Sequence, residues 1–173
     1  MTDTGVDVRP FEPFDADALW ELKRGFETGL GAGTGGEAKA EAYEAKLDQE
    51  YRSRWLAWVD DCVSEGTDCV SVAARERRGD ETGDELAGYV FLLPESMAFV
   101  WDAAVLNELY VEPDARGTGV ADDLMDAALA AAREQDTPLD RLVLDVDSDN
   151  QRAKAFYERH GFDDWGEMVA RRL

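Results

Sequence analysis

Apolar positions along this chain recur with two periods, in alternating blocks. Residues 6–11 alternate weakly and predict a first strand. Over 14–30, Phe14, Ala18, Leu22 and Phe26 stand four apart, a helical spacing, and Asp15 or Asp17 can serve the helix N-terminus. The run 29–36 (GLGAGTGG) predicts a flexible loop. Over 37–63, Tyr43, Leu47, Tyr51, Trp55, Trp58 and Val59 repeat at three and four, a second helical stretch whose stripe reads as core. Residues 68–75 and 86–93 predict an antiparallel hairpin across a charged turn at 77–85. Another strand lies within 97–111, ending in 106–111. From 119 to about 135 the pattern is helical, with Val120, Leu124, Ala127, Ala128 and Ala131 on one face. Residues 141–146 predict a strand. Residues 150–160 predict a helix with Ala153, Phe156 and Tyr157 on one side, and Gly161 stands where a left-handed cap belongs. Residues 167–173 can form a last strand. The order β-α-α-β-β-β-α-β-α-β predicts one α/β domain over residues 1–173, a mixed, mostly antiparallel sheet flanked by helices.

The chain has 173 residues, enough to bury a core, and no apolar run approaches the roughly 18 residues that span a membrane. The first ten residues lack a basic region and an apolar region, so the expected location is cytoplasmic. Cys62 and Cys69 have no CxxC spacing and His160 is remote from both, which argues against a metal site and for reduced, structural thiols. The net charge is −21, which disfavours nucleic-acid partners. Lysine occurs only at positions 23, 39, 46 and 154. Acid spread over every segment with little lysine fits a high-salt cytoplasm, and the expected source is a halophilic archaeon. Attraction of a cationic substrate is the competing explanation.

Two stretches carry candidate chemistry. In LNELYVEPDARGTGVA (106–121) a strand runs through a charged turn into a Gly-rich helix start. Such a turn offers unpaired backbone N–H groups and the positive end of a helix dipole, a place to hold phosphate. Alone it could equally be a solvent-exposed turn. In LVLDVDSDNQRAKAFYERHGF (142–162) a strand leads to Asn150, an aromatic pair and a Gly-Phe. The run 29–36 superficially matches a dinucleotide fingerprint, but no strand precedes it and no acidic residue follows in the required context.

Together these stretches resemble the GCN5-related N-acetyltransferase (GNAT) family. Arg116, Gly119 and Ala121 fit its Arg/Gln-x-x-Gly-x-Gly/Ala signature, and Asn150, Phe156, Tyr157, Gly161 and Phe162 fit its second block. The close resemblance covers about 106–162; the N-terminal half matches in element order only. It implies an acetyl-CoA co-substrate. Its pyrophosphate would lie on Arg116, Gly117, Thr118, Gly119, Val120 and Ala121. Backbone groups of Leu109, Tyr110 and Val111 would receive the pantetheine arm like an added strand. Asn150 would bond that arm or fix the turn. Asp122 and Asp123 depart from the pattern, because carboxylates beside the turn repel a pyrophosphate unless salt screens them.

For chemistry, Tyr157 is the expected general acid: a phenol of ordinary pKa about 10 can protonate the departing CoA thiolate without ionising itself. Glu108 is the carboxylate within 106–111 and the expected base, although an outward-facing strand position accounts for it equally well. Asp102 and Glu112 are weaker candidates. His160 reads as a surface cap residue. Trp20, Trp55, Trp58 and Trp101 are core or cleft lining.

The resulting expectation is an acetyl-CoA-dependent N-acetyltransferase in which a primary amine attacks directly in a ternary complex. The acceptor is a small-molecule or peptide amine, with neither nucleic acid nor membrane as partner, and a short last edge that suits a homodimer. The rival is a non-catalytic acyl-CoA-binding or regulatory module on the same fold.

Overall fold

The computed structural model describes residues 5–33, 36–75 and 85–173. Its strands are β1 (Val6–Pro10), β2 (Val70–Arg75), β3 (Glu85–Leu92), β4 (Ala104–Val111) and β5 (Leu142–Val143). Its helices are α1 (Ala16–Gly33), α2 (Gly36–Ala45), α3 (Gln49–Glu65), α4 (Val120–Glu134) and α5 (Gln151–Arg159). The strands form one sheet in the order β1-β2-β3-β4-β5. The first four are antiparallel, and β5 joins β4 in parallel.

Helices cover both faces. Leu19 and Leu22 of α1 and Trp55, Val59 and Cys62 of α3 pack on Val70, Val72, Tyr89 and Phe91. On the opposite face Val120, Leu124, Met125 and Ala128 of α4 pack on Ala73, Ala87, Val90 and Leu106. This is why β2 and β3 read as mostly apolar runs rather than alternating ones: both sides of each strand are buried. Gly88 brings β4 and α4 close, since a Cβ there would stand 2.6 Å from the Tyr110 carbonyl oxygen and 3.2 Å from Leu124 Cδ1. Leu124 is fully buried, so Leu124→Ala would cost about 2–5 kcal/mol.

Several expectations need correction. The helix over 37–63 is two helices, because Asp48 accepts a hydrogen bond from the Tyr51 N–H at 2.8 Å and starts α3 afresh. The glycine run does not open a loop at residue 29: α1 continues to Gly33, since glycine weakens a helix without forbidding its dihedrals. Residues 34–35 and most of the turn at 77–85 lie outside the described residues. Residues 95–100 form a 3-10 turn rather than part of a strand. The strand over 141–146 shrinks to two residues. The strand over 167–173 does not form; Met168 and Val169 are exposed, and residues 163–173 pair with no strand among the described residues.

Candidate active site

The site begins with an irregularity in β4. Opposite β3, Phe91 faces Glu108 and Leu92 faces Leu106, so Asn107 is an extra residue, a β-bulge. A bulge changes the parity of a strand. Val105 packs with the α1 cluster and Leu106 with the α4 cluster; beyond the bulge, Leu109 and Val111 pack with α4 and Tyr110 with α1. Glu108 therefore turns toward α1, where a regular strand would have set it beside Leu106.

There Glu108 is 6% exposed and both its oxygens are engaged. Lys23 of α1 donates to Oε1 at 2.5 Å, and the Tyr89 hydroxyl donates to Oε2 at 2.6 Å. Lys23 is itself buried and also pairs with Glu27 one helical turn on, at 2.6 Å. Lys46, just past α2, holds the other Glu27 oxygen at 2.8 Å. Burial works against the Lys23 charge, but Glu108 and Glu27 outweigh it and hold the ammonium above its ordinary range. Burial, then Glu108, raises the Tyr89 hydroxyl well above the usual phenol range, so it stays a neutral donor.

Beside Glu108 the sheet opens. β5 pairs with β4 only at Ala104 and Val105, two residues before the bulge. Leu109, Tyr110 and Val111 pair with Val90, Tyr89 and Gly88 of β3; their other edge meets no strand among the described residues. β4 then leads through a 3-10 turn at Pro113–Ala115 into the Gly-rich turn. Gly117 and Gly119 have φ of 78° and 99°, the left-handed region that favours glycine. The space a Cβ would occupy at either is open. The turn is fixed by the Thr118 hydroxyl, which donates to the Ala115 carbonyl at 2.6 Å. Gly119 caps α4, and the amides of its first turn have no carbonyl of their own helix to meet. Val120 is buried and Ala121 half-buried at that turn. Arg116 does not reach across it: Nε donates to the Val111 carbonyl at 2.9 Å and the guanidinium lies 5.7 Å from the Tyr110 ring centre.

The second block packs on the α4 side of the sheet through Phe156, Tyr157 and Phe162. Asn150 caps α5, its side-chain oxygen accepting from the Ala153 N–H at 3.1 Å. Tyr157 packs with Phe156, Phe162 and the α4 cluster, and burial pushes its phenol up to about 12. Asp122, in the first turn of α4, is held by Arg159 at 2.5 Å and His160 Nε2 at 2.8 Å. His160 is thus more than a cap residue, and the charge at Asp122 is partly matched from α5.

The sequence model of the acetyltransferase (GNAT) family matches residues 34–162. The chain belongs to this acetyltransferase family. Mycothiol acetyltransferase of Salinispora tropica is 34% identical over 112 residues, 57% of this chain and 36% of that protein. The chain thus spans about a third of the length of that relative. Among solved structures, the PaiA N-acetyltransferase of Thermoplasma acidophilum in complex with coenzyme A has a TM-score of 0.67 at 21% identity, covering 91% of this chain and 89% of that one. A GNAT-family acetyltransferase of Staphylococcus aureus has a TM-score of 0.60 at 15% identity, covering 93% and 86%. These likenesses concern the fold.

Acetyl-CoA is the co-substrate of a GNAT acetyltransferase, and the residues present fit it. The open β4 edge offers backbone groups to an extended arm, and the left-handed glycines before α4 offer amides to a pyrophosphate. The structure sets Glu108, Tyr110 and Lys23 on the α1 side of the sheet, and Tyr157 and Leu109 on the α4 side. Asp102 and Glu112 have no comparable setting: Asp102 is exposed in a left-handed turn, and Glu112 lies past the end of β4.

Lys23 and Tyr89 escaped the sequence reading. The signal for Lys23 was present: it follows Leu19 by four residues on the apolar face of α1, where a lysine is out of place unless paired. Tyr89 lay within an apolar run and had none. Trp20 and Trp55 prove to be core, Trp58 packs on Phe91, and Trp101 is exposed against Trp165. Cys62 and Cys69 are free and buried, and burial first, then nearby carboxylates, pushes their thiols up to about 11 and about 12. No helix among the described residues is long and apolar enough to cross a membrane.

Proposed function

We propose that this acetyltransferase transfers the acetyl group of acetyl-CoA to a primary amine by direct attack, with Glu108 as base and Tyr157 as acid. The observation that carries this reading is the bulge at Asn107, which turns Glu108 to the α1 side where the β4 edge opens. When bound, acetyl-CoA supplies a thioester-activated acetyl group. Backbone groups of Leu109, Tyr110 and Val111 bind its arm. The amides of Gly117, Thr118, Gly119, Val120 and Ala121 bind its pyrophosphate, and the exposed Arg116 adds a nearby positive charge. Asn150 shapes the turn beside them. Glu108 takes a proton from the incoming amine through Oε2, which has a second lone pair beyond the one used by Tyr89, while Lys23 and the Asn107 amide meet Oε1. Tyr157 gives its proton to the departing sulfur. Direct attack is favoured because both cysteines are buried and poorly ionised.

The acceptor is a small-molecule or peptide amine. The mycothiol acetyltransferase likeness adds a mycothiol-type acceptor to the candidates. The charge of −21 with four lysines supports work in a cytoplasm of molar salt, as in a halophilic archaeon, and disfavours nucleic acid as partner. The two-residue edge strand β5 leaves room for pairing in a homodimer. The second reading, a non-catalytic acyl-CoA-binding module, draws on the full engagement of Glu108 by its own chain.

Calorimetric titration of acetyl-CoA in about 2 M KCl and in dilute buffer, followed by CoA release with spermidine, glucosamine, a lysine peptide and a free peptide N-terminus, decides between them. Micromolar binding at high salt and turnover with one of these amines, lost in Glu108→Gln, is expected. Binding without turnover on any amine would favour the module; no binding at either salt would overturn both.

A further inference from the structure

We infer that Lys23 and Tyr89 are positioning residues for Glu108, holding its carboxylate at the open edge of β4. This rests on the reading of Glu108 as the base. The argument starts from burial. Lys23, Glu27 and Glu108 are 2%, 3% and 6% exposed and Tyr89 is 0% exposed, so four polar groups sit where apolar ones would serve stability as well. They are not scattered. Lys23 Nζ stands between Glu108 and Glu27 at 2.5 and 2.6 Å, while Tyr89 closes on the far oxygen of Glu108 at 2.6 Å. The Asn107 amide, from the bulge itself, lies 3.4 Å from Oε1.

Each element around Glu108 contributes. From α1 come Lys23 and Glu27; from the turn after α2, Lys46; from α3, the Tyr51 hydroxyl, 3.5 Å from Glu27. From β3 comes Tyr89, and Tyr110 of β4 shares the face. Lys23 is further held over the rings of Phe26 and Trp55, at 5.1 and 5.2 Å from their centres. The Lys23–Glu27 pair thus acts as a buttress anchored at Lys46, and Glu108 is its terminus on the reaction strand.

The consequence concerns charge as well as aim. A buried carboxylate without a counter-charge takes up a proton easily and is then no base. An ammonium and a phenolic O–H, both donors only toward Glu108, suit a carboxylate rather than a carboxyl group, and with the Asn107 amide on Oε1 they leave a lone pair on Oε2 for the amine proton.

The test is a carbon-13 NMR titration of protein labelled at the glutamate carboxyls, with the Glu108 signal assigned by its loss in Glu108→Gln. It needs no acceptor. In Tyr89→Phe, which keeps the ring packing, the Glu108 midpoint should rise by about one pH unit, the scale of one hydrogen bond to a charged group. In Lys23→Met paired with Glu27→Gln, which leaves no second buried anion, it should rise further, and Lys23→Arg should restore part of the shift. With the amine that the wild type accepts from the panel above, the acidic limb of kcat/KM should move up by the same amount. The KM for acetyl-CoA should stay fixed, and Tyr89→Phe in the Glu108→Gln background should cost nothing more. Should the Lys23 variant fail to fold, Tyr89→Phe alone decides. An unshifted midpoint and limb with Glu108→Gln inactive would overturn the positioning role and leave the base standing. Full activity of Glu108→Gln would instead overturn the base.

Discussion

Val105 and Glu108 face the same side of the sheet although three residues separate them, because Asn107 is an extra residue in β4. In a regular strand, residues three apart face opposite ways. Removing Asn107 would restore strict alternation with Val105 and Glu108 still on one face, but would straighten the strand. The deletion therefore separates the bend from the orientation. Helical and strand content by circular dichroism should survive. Acetyl transfer should fall about tenfold or more, since small misplacements of reacting groups cost that much. Unchanged turnover would mean that the bend has no part in shaping the opening.

Gly119 offers a second test. Its φ of 99° is costly for any residue with a Cβ, about 1–2 kcal/mol, while the space beside it is open. Gly119→Ala should lower the melting temperature by several degrees and weaken acetyl-CoA binding about tenfold in calorimetry. kcat at saturating acetyl-CoA should hardly move, since the turn binds and does not react. Loss of stability with unaltered affinity would remove the turn from the binding surface.

The long elements were legible because their patterns are long. α1, α3 and α4 announce themselves through apolar stripes, and β2 and β3 through mostly apolar runs. The edge was not. Residues 167–173 are expected to form a strand, but a strand needs a partner ladder, and β5 is only two residues long. At the site, the Gly-rich turn was legible because its glycines answer a local backbone demand. The environment of Glu108 was not, because it depends on a bulge register and on a lysine 85 positions earlier in the chain. Neither is encoded in a local pattern.

Asp122 carries a carboxylate into the first turn of α4, and Arg159 and His160 lie against it. Replacing both partners by alanine uncovers that charge beside the proposed pyrophosphate position. Acetyl-CoA affinity in dilute buffer should drop by about fivefold, the effect of about 1 kcal/mol expected for a charge at a helix end. In about 2 M KCl the difference should vanish, because the Debye length falls to a few ångströms. Asp122→Asn should act in the opposite direction in dilute buffer. An equal loss at both salts would point to a structural effect of α5 on the turn rather than to charge.

Tyr157 combines a mechanistic and a stability prediction. Burial pushes its phenol up to about 12, against about 10 in an unfolded chain. The native state therefore holds the proton that the unfolded state gives up first. The associated stability is fully present below pH 10 and is lost as pH rises from 10 to 12, by up to about 3 kcal/mol for two units. Tyr157→Phe has no such proton. Its melting temperature should fall less than that of the wild type between pH 9 and pH 11. If the phenol is the acid, the variant should also lose about 10²-fold or more in turnover at pH 8 with acetyl-CoA binding unchanged. The wild-type rate should show no alkaline loss attributable to this group below about pH 11. A Phe variant that matches the wild type in turnover but shows the altered alkaline stability would keep Tyr157 as packing and remove it from the chemistry.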